Sequence, residues 1–195
     1  LGAAAEDWAS LDAKRLDYQD PDLLHRLGGA EAREYAAAGL PPPSNRPLAS
    51  PMEFRRILGW DNLLENLTDD DLAGMLGVER NVVLNVNTAP AQVLALLPGV
   101  DRAMADRVVA LRQQAPFTSL AQVQQLMPVR MGDEEGVTLF SNPSGNLILW
   151  DSRQGARRLI HWTMTPFDEQ GRPWRIDYEV ILPRGKQPDP GMAKP

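Results

Sequence analysis

The 195 residues contain no cysteine. That removes disulfides, thiolate metal sites and cysteine nucleophiles together, and leaves cytosol and periplasm both open. No apolar run reaches about 18 residues, so nothing in this chain reads as a membrane-spanning helix. No signal peptide is visible at its start. Basic residues are in the minority: 20 Lys and Arg stand against 26 Asp and Glu, a formal net charge of -6. Phosphate affinity comes mostly from basic patches, so an acidic chain disfavours nucleic acid as a partner. Histidine occurs twice, at His25 and His161, far apart and without ligand-like companions; both read as structural. Nucleophile elbow, P-loop, dinucleotide fingerprint and HExxH are all missing. Nothing in these patterns singles out a catalytic group.

What is present suffices for a globular core. With 43% hydrophobic and 24% charged residues, the composition is that of a folded protein, long enough for one large domain or two small ones. The first half is helical and sharply punctuated. Residues 1–16 carry Leu1, Trp8, Leu11 and Leu16 in a loose helical pattern. Pro21 and the Gly28–Gly29 pair break it. A short helix from Ala30 to Ala38 is terminated by Gly39, and "LPPPSNRP" is a loop. Ser50, Pro51 and Glu53 form a helix-start signature, closed by Gly59. "WDNLLENL" is a further short helix. Thr68 caps another, with aspartates on its positive end and Gly77 after it.

From "VVLNVNT" onward the pattern becomes a hairpin. Thr88 or Asn87 caps a helix through Leu97, Pro98–Gly99 turns the chain, and Asp101 caps a second helix to about Gln114. Pro116 ends it, and Ser119 with Gln122 opens a third. DNA-binding versions of such a hairpin need a second glycine two residues after the first, so that the backbone can approach a phosphate. Here that place holds Asp101, whose carboxylate repels a phosphate. Arg102, Arg107 and Arg112 follow, but Asp106 is among them. The reading is a packing hairpin with Met104, Val108 and Leu111 turned inward, built on Asn85, Asn87, Thr88, Pro98, Gly99 and Asp101.

The last third changes period. "LILW" (147–150) is an apolar run, and "RLIHWTM" and "WRIDYEVIL" alternate with period two, the signature of strands with one covered face. In the last of these, Trp174, Ile176, Tyr178, Val180 and Leu182 are expected on one face. "DSRQG" and "DEQG" have turn composition. The product is an antiparallel meander of three or four strands, which needs something on its apolar face. The Pro/Gly-rich end reads as a disordered tail over 186–195.

One acidic cluster stands out: Asp17, Asp20, Asp22 and Glu31. Hard oxygen ligands in a glycine-rich turn suit calcium, although the spacing is not that of a twelve-residue EF-hand loop. The alternative is helix capping, with Asp20 as N-cap ahead of Pro21.

The stretch from Tyr18 to Leu126 resembles the minor pseudopilin K family of bacterial type II secretion systems. The residues that carry the resemblance are "DYQDPDLLHRLGGAEAREY", "NRPLASPMEFRRILGWD" and "LNVNTAPAQVLALLPGVDRAMADRVVALRQQAPFTSLAQVQQL". Asp20-Pro21-Asp22 stands where the family has Asp-Ala-Asp, Tyr18 where it has Trp, and Ala32 where it has a further Asp.

The resemblance implies an α+β fold: a pilin-like antiparallel sheet with a large inserted all-α domain containing a helix-hairpin-helix motif. It implies a division into a connection at 1–19, the inserted domain at 20–132, the sheet at 133–185 and the tail. It implies a long N-terminal helix, membrane-anchored, that packs on the sheet and is expected to be missing from a chain opening on Leu1. The role implied is capping the tip of the pseudopilus with the I- and J-type minor pseudopilins, on the periplasmic face of the inner membrane, with no nucleic-acid partner. Asp20, Asp22 and Glu31 are the calcium ligands it implies. The alternative is a helix-hairpin-helix DNA-binding protein of the competence type.

Overall fold

The computed structural model describes residues 2–78, 83–128, 137–150, 157–167 and 171–183. The expected tail and most of the two turns "DSRQG" and "DEQG" lie outside the described residues. The chain divides into two compact units, Leu1–Leu139 and Phe140–Pro195.

The first unit holds the helices. A 3-10 turn at Ala5–Asp7 leads into α1 (Trp8–Gln19), followed by α2 (Ala32–Ala37), α3 (Asp61–Leu64) and α4 (Asp69–Met75). Between α2 and α3, Pro51–Arg56 forms a 3-10 helix. Ser50 makes no side-chain cap there; Glu53 reaches back instead and accepts from the Ala49 amide at 3.2 Å. Thr68 and Asp71 form the expected capping box on α4. Two expectations shift. Asp20 opens no helix at Pro21 but ends α1 as its C-cap, since the proline-containing segment after it leaves the helical conformation. The helix expected from Ala30 begins at Ala32.

These elements close around Tyr18, Tyr35, Phe54, Ile57, Leu64 and Leu72, all buried. Polar groups tie distant parts of this core. The Tyr35 hydroxyl accepts from the Leu58 amide at 3.0 Å, and the Trp60 indole donates to the Leu11 carbonyl at 3.0 Å. Buried amphipathic rings meet their hydrogen-bonding needs in this way.

The rest of the unit is the hairpin. It comprises β1 (Leu84–Asn85), α5 (Ala91–Leu94), α6 (Arg102–Gln114), α7 (Leu120–Gln124) and β2 (Val137–Thr138). β1 and β2 pair in parallel, Leu84 with Val137 and Asn85 with Thr138. A second core gathers here, from Val86, Leu94, Val100, Ala105, Val108, Val123 and Met127.

The second unit is a three-stranded antiparallel sheet in the order β3 (Ser144–Trp150), β4 (Arg157–Met164), β5 (Trp174–Leu182). With the helices of the first unit this is an α+β chain. The alternation in β5 is not continuous. His161 pairs with Tyr178 but Trp162 pairs with Ile176, so Asp177 is an extra residue, a β-bulge. It splits the row expected on one face. Tyr178, Val180 and Leu182 lie on the side of His161 and Leu159. Trp174 and Ile176 lie on the side of Trp162 and Met164, because opposed residues share a face.

Candidate functional site

Of the hairpin residues singled out by sequence, Asn85, Asn87 and Asp101 each use a side-chain oxygen to accept from a backbone amide of the same unit. Asn85 is buried; its Oδ1 accepts from the Asn87 amide at 2.9 Å, and its carbonyl accepts from Thr88 and Ala89. This tight turn delays the helix. α5 is capped at Pro90, not at Thr88 or Asn87. Asn87 instead joins three segments. Its Nδ2 donates to the Phe117 carbonyl at 2.9 Å and the Leu139 carbonyl at 3.0 Å, and its Oδ1 accepts from the Phe117 amide at 2.8 Å.

At the turn, the Val100 amide bonds the Leu97 carbonyl at 3.0 Å. Gly99 is left-handed (φ 75°), and a Cβ there would approach Pro128 Cγ to 3.1 Å. Asp101 caps α6, its Oδ1 accepting from the Met104 amide at 2.7 Å. Two of the three arginines have partners within the hairpin, and Arg107 is exposed. Arg102 pairs with Asp106 at 3.0 Å. Arg112 donates to the Val86 carbonyl at 2.6 Å and to Thr88, and burial pulls its pKa down. Ala105 and Val108 face the core, with Met104 and Val109 packed beside them.

The acidic cluster is more unusual. Asp17 is fully buried at 0% exposure. Its Oδ2 accepts from the Ala30 amide at 2.9 Å and the Arg26 amide at 3.2 Å. Its Oδ1 accepts from Arg26 Nη1 at 2.6 Å. The same Nη1 bonds Asp20 Oδ2. The hydrogen bonds that the guanidinium donates to Asp17 first, then to Asp20, raise its pKa further still. Arg26 thus bridges the last turn of α1 and its C-cap, where a helix's partial negative charge favours a cation. Asp22, exposed, accepts from the Leu24 amide at 2.8 Å.

Glu31 is 6% exposed. It faces Glu34 in a capping box on α2, whose well-formed half runs from the Glu31 amide to Glu34 Oε2 at 3.0 Å. Glu31's own two oxygens have no partner of hydrogen-bond geometry. Burial raises its pKa, and the nearby charges of Asp17, Asp20 and Asp22 raise it further.

Among the described residues, four buried side-chain atoms lack a partner: Asp20 Oδ1, both oxygens of Glu31, and Asn45 Oδ1. All four are oxygens, and buried polar atoms left unpaired are costly. Asn45 holds a left-handed backbone (φ 49°), and its amide donates to the Tyr18 carbonyl at 3.0 Å, which ties it to the same end of α1. Oxygen-only donors of this kind fit a hard divalent cation in type. No group of three or more His, Asp or Glu side chains converges as a ready-made metal site among the described residues, so amide and backbone oxygens or water would complete any such shell. Asp20 and Glu31 lie near enough to act on one another electrostatically, Asn45 is tied to the end of α1 through the Tyr18 carbonyl, and Asp22 stays at the surface. Sequence reading missed Arg26 and Asn45. An arginine in a loop and an asparagine 14 residues beyond Glu31 carry no spacing signal.

In the sheet, His161 is buried and stacked on Tyr178, centroids 4.9 Å apart. The bulged Asp177 accepts from Thr163 Oγ1 at 2.5 Å and Arg175 Nε at 2.7 Å, and lies 3.0 Å from His161 Nδ1.

Residues 84–137 match the family model of the type II secretion system (T2SS), protein K. That segment runs from β1 to β2 and contains the whole hairpin. The match bears out the resemblance carried by the residues from Asn85 to Leu126. Comparison with the curated proteins returns no match.

Proposed function

We propose that this chain is the periplasmic part of a K-type minor pseudopilin, acting in type II secretion at the tip of the pseudopilus. The observation that carries the reading is the protein K match over residues 84–137, which falls on a hairpin turned inward by its apolar side chains.

In this reading the helical unit is the domain inserted into a pilin-like frame, and α5, the Pro98–Gly99 turn and α6 are its helix-hairpin-helix, used as scaffold. The bulk of the helical unit caps the fibre, and the I- and J-type minor pseudopilins are its neighbours. The role is mechanical, with no catalytic step. Leu147, Leu149, Met164, Trp174, Ile176 and Ile181 are all exposed and share the Trp162 face of the sheet. That face is the one that would receive the long N-terminal helix of the family. Anchoring at the inner membrane belongs to that helix; among the described residues no helix is long and apolar enough to cross a membrane.

Calcium is the metal that goes with this reading. Asp20, Glu31 and Asn45 would hold it, and Asp22 would join only by moving inward. When bound, the ion would neutralise surplus carboxylate charge and lock the loop after α1 to the start of α2. The DNA-binding alternative gains no support from the hairpin: Asp101 is committed to capping α6, and Arg112 to backbone carbonyls.

Deleting the gene in its host tests the proposal. Export of type II substrates should stop and return on complementation. Unchanged secretion would contradict it.

A further inference from the structure

The Asp20 carboxylate is shared between two environments. Its Oδ2 accepts from Arg26 Nη1. Its Oδ1 is buried without a partner. Glu31, buried to 6% exposure, contributes two more unpartnered oxygens, and Asn45 a fourth. Asp17, Asp20 and Asp22 all act on Glu31 electrostatically, with Asp17 the largest. Arg26 is thus a permanent monovalent cation on one edge of a carboxylate whose other oxygen is buried without a partner.

We propose that Arg26 is a built-in counter-cation that holds down the affinity of the site for a divalent ion; this rests on the calcium reading of Asp20, Glu31 and Asn45. Two effects act in the same direction. The guanidinium draws on the negative charge of Asp20 that a calcium ion would use. It also places a fixed positive charge against Asp20, which disfavours a second cation at that carboxylate. In return, Arg26 keeps Asp17 paired when no ion is bound, since a lone carboxylate at that depth is strongly unfavourable. The loop therefore stays folded without calcium and binds it weakly, so that occupancy follows the ion concentration of the compartment.

The test is calorimetric titration with calcium chloride of chelator-treated wild type, Arg26→Gln and Arg26→Lys. Losing the positive charge should tighten binding on the order of tenfold, while the lysine variant stays within about threefold of wild type. Equal or weaker binding by Arg26→Gln overturns the proposal. If neither wild type nor Arg26→Gln binds, the calcium reading falls with it; if only the glutamine variant binds, the proposal stands. Should Arg26→Gln not fold, the wild-type guanidinium is followed by nitrogen NMR during the titration. A calcium-dependent shift at Arg26 supports the competition, and an unmoved resonance in calcium-bound protein overturns it.

Discussion

Gly29 and Asp17 are in direct opposition: a Cβ at position 29 would lie 1.9 Å from Asp17 Oδ2 and 2.8 Å from its Cγ. The contact exists because that oxygen must reach the Ala30 amide, and only a residue without a side chain lets it pass. Gly29→Ala should therefore displace Asp17 and break its bonds to the loop. Overpacking and an unpaired buried carboxylate together suggest a loss of about 2–4 kcal/mol. Chemical denaturation of the full chain measures it; a change below about 0.5 kcal/mol would show that the loop does not depend on this contact.

Asn87 makes three hydrogen bonds to backbone groups of Phe117 and Leu139. Truncation leaves two carbonyls and one amide without their partner. Asn87→Ala should cost about 2–3 kcal/mol, at about 1 kcal/mol per bond. Thr88→Ala, whose side chain has no comparable network, serves as the contrast and should fall within about 0.5 kcal/mol. Equal losses from the two variants would contradict the role given to Asn87.

Asp177 supplies a pH dependence. Burial alone would raise its pKa, but hydrogen bonds from Thr163, Arg175 and His161 outweigh it, and the net effect is a pKa below the ordinary carboxylate value. A folded pKa below the unfolded one means that the unfolded chain binds the proton more readily. The stabilisation is then complete above the unfolded value and disappears as pH falls through the folded value. Urea midpoints followed by tryptophan fluorescence should fall on the acid side. Asp177→Asn should flatten that part of the profile. An unchanged acid limb in the variant would remove Asp177 as its source.

These residues also mark where sequence was legible. α6 was readable to the residue, because Asp101 and Pro116 bracket it and a cap and a breaker are local signals. The span of β5 was equally readable, Trp174 to Leu182, from its period of two. Its bulge was not: one inserted residue leaves the alternation of letters intact while reversing the faces, and only the register with β4 reveals it. The start of α5 slipped from Thr88 or Asn87 to Pro90, because Asn85 holds the residues ahead of that proline in a tight turn. The acidic cluster was visible as composition. Its organisation was not, since Arg26 joins Asp17 and Asp20 from a loop with no pattern of its own, and Asn45 arrives from beyond a proline-rich segment.

The central claim is assembly, and co-purification tests it most directly. The full-length protein, co-expressed with the I- and J-type minor pseudopilins of its own operon and purified through a tag on the J subunit, should elute with both as one heteromeric complex. An I–J complex that forms and leaves this protein behind in the wash would contradict the account.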